Sequence, residues 1–120
     1  MKRIAVVEDN ADNRLLVSAI LDGRYALREY ASGAEALAGL EAQPPELVLL
    51  DISLPEMDGT EVLRRIRGHA ALRHLPVIAL TAHAMAGDRE RYLAAGFDDY
   101  VTKPILDESL LLSAIARLLA

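Results

Sequence analysis

Short apolar runs alternate with longer stretches of helical periodicity along the whole chain. Ile4 to Val7 is a largely β-branched run flanked by charge, the pattern of a parallel strand buried on both faces. From Ala11 to Leu21, Leu16, Val17, Ile20 and Leu21 fall on one helical stripe, and Gly23 marks its end. Tyr25 to Tyr30 alternates as an edge strand does. Ser32 followed three residues later by Glu35 is a capping-box signature, and it predicts a helix carrying Ala36, Leu37 and Leu40. Pro44 and Pro45 interrupt the chain, and Glu46 to Asp51 reads as a second buried strand.

The same grammar then repeats. Pro55 to Gly59 is rich in turn formers, and Asp58 beside Gly59 is placed to cap a helix running from Thr60 to about Gly68. Pro76 opens a strand over Val77 to Leu80. A helix is expected from Ala84 to Ala95, closed by Gly96 as a left-handed C-cap. Tyr100 and Val101 form a short strand, and Leu106 to Leu119 closes the pattern as an amphipathic helix. Five strand–helix units joined by short connections predict an α/β fold, an open and doubly wound sheet in one domain over 1–120.

Composition narrows the function without selecting one. With 52% hydrophobic residues in 120, a core can form without disulfides or structural metal. The aromatics are only Phe97, Tyr25, Tyr30, Tyr92 and Tyr100, too few for a base-stacking platform. The net charge of −5 repels a phosphate backbone, so direct nucleic-acid binding is not expected. The lack of cysteine removes disulfide scaffolds and thiol catalysis. Met1-Lys2-Arg3 leads straight into a strand instead of a secretory core, and nothing nears the ~18 apolar residues of a membrane span. A cytoplasmic chain with no membrane partner is the expectation, and the Met1 start favours a stand-alone form.

Ligands of an open parallel sheet gather at the carboxyl ends of its strands, near the point where the winding reverses. Strand one here ends in Glu8-Asp9, strand three in Asp51, strand four in Thr81 and strand five in Lys103-Pro104. Three carboxylates, a hydroxyl and an ammonium thus converge on one rim. Clustered carboxylates repel until a cation arrives, and hard oxygen ligands suit Mg2+. A carboxylate at Asp51 could attack phosphorus, with Thr81 and Lys103 supplying a donor and positive charge for the phosphoryl oxygens.

Glu8-Asp9, Asp51-x-x-x-Pro55-x-x-x-Gly59, Thr81-Ala82 and Lys103-Pro104 resemble, in order and end to end, the receiver domain of two-component response regulators. The flanking text is most similar to single-domain receivers and those of hybrid kinases. The resemblance implies a flavodoxin-like sheet of five parallel strands in the order 2-1-3-4-5 with five helices. It implies that Asp51 is the phosphoacceptor. Asp9, Asp51 and the Ser53 carbonyl would hold Mg2+, with Glu8 helping through water. Thr81 and Lys103 would contact the phosphoryl group, Tyr100 would act with Thr81 as the aromatic switch, and the Lys103–Pro104 bond would be cis.

The implied partners are a sensor histidine kinase or histidine phosphotransfer protein and a downstream protein target. The chain would be a monomer or a weak phosphorylation-linked dimer. Leu15 lies about 100° from Leu16 around the first helix and off its core stripe. Since this helix docks on the phosphohistidine partner in receivers, Leu15 is a candidate contact. By the same resemblance His83, two residues after Thr81, would border the phosphoryl position, whereas His69 and His74 read as solvated loop residues. Arg64, Arg65, Arg67, Arg73, Arg89 and Arg91 read mostly as helix-surface charge.

A phosphoacceptor switch, not a turnover enzyme, is therefore the expected function. A small aspartyl-phosphate phosphohydrolase of the haloacid dehalogenase type would carry a second aspartate two residues after the nucleophile, where this chain has Ser53. A flavodoxin-like electron carrier would need a Ser/Thr/Gly-rich loop after strand one, where Glu8-Asp9-Asn10-Ala11-Asp12 stands instead. A degenerate receiver serving only as a protein-interaction module would lack some of the site residues, and all are present.

Overall fold

The structure is a computed structural model that describes residues 1–82 and 87–120. Its elements are β1 (Arg3–Val7), α1 (Ala11–Leu21), β2 (Ala26–Tyr30), α2 (Gly33–Ala42), β3 (Leu47–Asp51), α3 (Gly59–Gly68), β4 (Val77–Thr81), α4 (Asp88–Ala95), β5 (Asp99–Thr102) and α5 (Glu108–Leu119). The strands form one parallel sheet in the order β2-β1-β3-β4-β5, the expected doubly wound order.

Two-residue periodicity divides the buried strand residues into two cores. Ala5 and Val7, Val48 and Leu50, and Val77 and Ala79 pack with Leu40, Val62, Leu63, Ile66, Tyr92 and Phe97, on the side covered by α2, α3 and α4. Ile4 and Val6, Leu47 and Leu49, and Ile78 and Leu80 pack with Val17, Leu21, Leu111 and Ile115, on the side covered by α1 and α5. Both faces of β1, β3 and β4 are thus covered, which explains their unbroken apolar runs.

The helix starts are fixed by side-chain caps. Asn10 accepts from the Asn13 N–H, Ser32 from Glu35 and Asp58 from Glu61. Glu35 reaches back to the N–H of Ala31 at 3.3 Å, one residue beyond the reciprocal position of an ideal capping box. Gly96 ends α4 with φ 113°. Gly59 answers a different demand, because a Cβ there would lie 2.3 Å from the Asp51 carbonyl oxygen and 2.8 Å from Ile52 Cα. The β3–α3 turn folds tightly over the end of β3, and the Gly59 N–H donates to the Ile52 carbonyl at 2.9 Å.

Some boundaries and surfaces differ from expectation. Helix α5 begins at Glu108, because the Asp107 side chain accepts from the Ser109 N–H and caps it there, leaving Leu106 outside and exposed. Helix α4 is described from Asp88; positions 84–86 of the expected helix, and His83, lie outside the described residues. Leu16 is 40% exposed rather than a full member of the α1 stripe, and Leu15 is 69% exposed. His69 is engaged, with Nε2 2.8 Å from Glu41 Oε1 and Nδ1 accepting from the Ala71 N–H. Arg67 is no surface charge. Its guanidinium donates to the carbonyls of Gly96, Arg73 and Leu75 and to Asp98, tying α3 to the start of β4 and the end of α4.

Candidate functional site

The last residue of β3 and the residue after β1 bring two carboxylates under cover at the same rim. Glu8 and Asp51 are each 1% exposed, whereas Asp9 projects into solvent. One carboxylate oxygen from each of Glu8, Asp9 and Asp51 lies within 4.8 Å of the others, a spacing that suits a hard divalent cation. Lys103, just past β5, reaches across the sheet. Its Nζ lies 3.1 Å from Glu8 Oε1 and 3.0 Å from Asp51 Oδ1. The Lys103–Pro104 peptide that follows is cis.

The surrounding backbone sets how these groups point. Asp51 Oδ1 also accepts from the Ser53 N–H at 3.0 Å, so the β3–α3 turn orients the carboxylate. Glu8 accepts from the Asn10 N–H and from Asn13 Nδ2, both near the start of α1. Arg14, one turn into α1, donates to the carbonyls of Glu8 and Asp9 at 2.7 and 3.1 Å and lies 3.8 Å from Glu29. Arg14 thereby fixes the acidic loop from below. Spacing offers a signal for it, since Arg14 follows the Asn10 cap by four residues and so shares its helix face.

Burial dominates the electrostatics. It pushes Glu8 from its ordinary 4.5 up to about 7, and a hydrogen bond with Asp51 adds to the rise; the Asn10 N–H and Lys103 act against it. Burial also opposes the charge on Lys103, but its bonds to Asp51 and Glu8 outweigh that, and its net shift is upward. The rim thus holds an ammonium firmly charged between carboxylates that do not all ionise readily.

Thr81 stands on the other side of this division. At the end of β4 it shares the alternation of Val77 and Ala79, facing α4, and its Oγ1 is 2.7 Å from the Tyr92 hydroxyl. Tyr92, in α4, is buried and packs against Phe97 and half-buried Tyr100. Tyr92 was invisible to motif reasoning. Its signals are modest: it is the one aromatic of α4, a turn before the Gly96 cap.

Of the residues expected at the site, Glu8, Asp9, Asp51, Ser53 and Lys103 are brought together, and Thr81 and Tyr100 meet through Tyr92. Leu15 lies apart on the exposed face of α1. His83 is outside the described residues.

Residues 4–116 match the response regulator receiver domain family. The polar-differentiation response regulator DivK of Brucella ovis is 42% identical over 105 residues, covering 87% of this chain and 85% of DivK. Sensor histidine kinase GacS of Pseudomonas protegens is 39% identical over 112 residues, 90% of this chain but only 12% of that much longer protein. The crystal structure of the receiver domain of sensor histidine kinase PA1611 from Pseudomonas aeruginosa superposes with a TM-score of 0.88 at 37% identity, covering 98% of this chain and 97% of that one. That domain has a magnesium ion coordinated in its active-site cleft. The chain belongs to the response regulator receiver domain family of two-component signalling.

Proposed function

We propose that the chain is a phosphorylation-driven switch with Asp51 as its phosphoacceptor. The observation that carries this reading is the position of Lys103 Nζ between Glu8 and Asp51, beside three carboxylates close enough to share one cation. A carboxylate oxygen of Asp51 attacks the phosphorus of a phosphohistidine. The new O–P bond forms as the P–N bond breaks, and the imidazole leaves with the electron pair and takes a proton from solvent. Attack by water later returns Asp51 and inorganic phosphate.

The donor set fits Mg2+. Asp9, Asp51 and the Ser53 carbonyl would hold it, with Glu8 assisting through water; when bound, it neutralises phosphoryl charge and fixes the approach. Lys103 supplies a fixed positive charge for a phosphoryl oxygen, and Thr81 supplies a hydroxyl. Self-catalysed phosphotransfer and hydrolysis at Asp51 serve a change of state, so the chain acts as a switch rather than as a turnover enzyme. Tyr100, packed beside Tyr92, serves as the aromatic that reports the event by moving with Thr81.

The phosphodonor is a sensor histidine kinase or histidine phosphotransfer protein, as the kinship with DivK and GacS supports. The output is a downstream protein target in the cytoplasm, reached by a monomer or a weak phosphorylation-linked dimer. The net charge of −5 disfavours nucleic acid as a direct target. Among the described residues no helix is long and apolar enough to cross a membrane.

Intact-mass measurement after incubation with Mg2+ and acetyl phosphate tests the proposal. One phosphate adduct, lost in Asp51→Asn, is expected. A wild-type chain that acquires none, or an Asp51→Asn variant that still acquires it, refutes the reading.

A further inference from the structure

The hydroxyl of Thr81 is engaged with α4, an element outside the carboxylate cluster. Its Oγ1 lies 2.7 Å from the hydroxyl of Tyr92. Tyr92 has little freedom to follow a moving partner. It is 5% exposed, its ring stands edge-on to Phe97 at 6.1 Å, and Tyr100 lies 5.7 Å away on another side. Arg91 covers the ring at 5.1 Å and donates from Nη2 to the Tyr92 oxygen at 3.3 Å. Either hydroxyl can be the donor in the bond between Tyr92 and Thr81, and the Arg91 contact adds a further constraint on the Tyr92 oxygen.

Alternation along the strands adds a second fact. Asp51 follows the parity of Leu47 and Leu49, which face α1 and α5, whereas Thr81 follows Val77 and Ala79, which face α2, α3 and α4. A threonine oxygen turned towards Tyr92 therefore points to the opposite side from the Asp51 carboxylate. Reaching a phosphoryl group on Asp51 requires rotation away from Tyr92.

We infer that Tyr92 is a positioning residue that holds the Thr81 hydroxyl in a waiting orientation on α4, and that phosphorylation must break this bond before Thr81 can contact the phosphoryl group. The Tyr92 hydroxyl thus opposes activation, and α4 senses the occupancy of Asp51 through a broken hydrogen bond as well as through Tyr100. The inference rests on the phosphoacceptor reading of Asp51.

Tyr92→Phe tests it, since the ring and its packing stay while the hydroxyl goes. Binding of beryllofluoride with Mg2+, a stand-in for the phosphoryl group, is measured by titration in wild type, Tyr92→Phe and Asp51→Asn. Loss of one neutral hydrogen bond from the resting state alone tightens binding in Tyr92→Phe by about three- to tenfold. The methyl resonance of Thr81 in the free variant should also shift along the line joining its free and beryllofluoride-bound positions in wild type. A change in packing alone would not move it along that line. Wild-type binding with no tightening in Tyr92→Phe, or with a Thr81 shift off that line, overturns the inference and leaves the phosphoacceptor reading standing. Wild-type protein that shows no Asp51-dependent binding overturns both.

Discussion

Gly59 is packed against Asp51 so closely that any side chain at position 59 would strike the Asp51 carbonyl, at 2.3 Å from the Cβ. The atom in the way is backbone, and it belongs to the residue whose carboxylate lies at the centre of the site. No rotamer change can relieve such a clash. The glycine of the Asp51-x-x-x-Pro55-x-x-x-Gly59 motif is therefore a requirement of close approach, with an ordinary negative φ.

Gly59→Ala should consequently lower stability by about 1–3 kcal/mol through overpacking and displace the end of β3. Urea unfolding would show a lower midpoint, and Mg2+ affinity should fall with it. An unchanged midpoint would mean that the turn accommodates the methyl group, contrary to the contact described.

Lys103→Met separates two roles of the ammonium. Removing a positive charge 3.0 Å from Asp51 takes away repulsion towards a metal, so Mg2+ should bind at least as tightly as in wild type. Beryllofluoride binding should weaken by about tenfold or more, since a preorganised charge for the phosphoryl oxygens is lost. Calorimetry with each ligand measures both, and a parallel loss of the two affinities would contradict the separation.

Glu8 should make metal binding pH-dependent. With its folded value at about 7 and its ordinary value at 4.5, the folded protein keeps a proton that the unfolded chain has lost across this window. Stability should fall as pH rises from 4.5 to about 7 and level off above. Mg2+ favours the ionised carboxylate, so its affinity should climb over the same range, by at most about tenfold per pH unit, and flatten above 7. Glu8→Gln should remove this dependence from both the unfolding and the Mg2+ titrations.

Leu15→Asp probes the partner surface. Leu15 is 69% exposed on α1, so the change should leave folding and acetyl phosphate labelling near wild type. Transfer from a cognate phosphohistidine protein should slow by about tenfold, as a buried interface contact gives way to a charge. Rapid-quench transfer assays decide it, and a normal rate would remove Leu15 from the interface.

Arg67→Met should destabilise the fold by about 2–3 kcal/mol, because the carbonyls of Gly96, Arg73 and Leu75 each lose a charged donor. The loss is to be read from chemical denaturation. A cost below 0.5 kcal/mol, the level of ordinary surface substitutions, would return Arg67 to the surface charges.

The parallel strands were legible because their apolar runs end abruptly in chemistry: Val7 before Glu8-Asp9, Leu50 before Asp51, Leu80 before Thr81. Unbroken apolar runs flanked by charge marked the two-sided burial, and Ser32 and Asp58 marked helix starts that their side chains do cap. Three features escaped for identifiable reasons. Leu106 belongs to the apolar periodicity of α5, but local capping by Asp107 wins and the helix starts after it. Arg67 looks like any charged residue on an amphipathic helix, and its carbonyl partners lie as far as 29 positions away in sequence. Tyr92 meets Thr81 only because α4 packs over β4, a long-range relation that no local spacing encodes.

Strand order also sets a distance. In the order β3-β4-β5, Asp51 and Tyr100 stand two strand spacings apart, roughly 10 Å, and Thr81 stands at the end of the strand between them. A change of charge at Asp51 therefore has only a short buried route to take towards α4 and β5. It has one neighbouring strand to cross, and the hydroxyl at the end of that strand is already bonded to the far side.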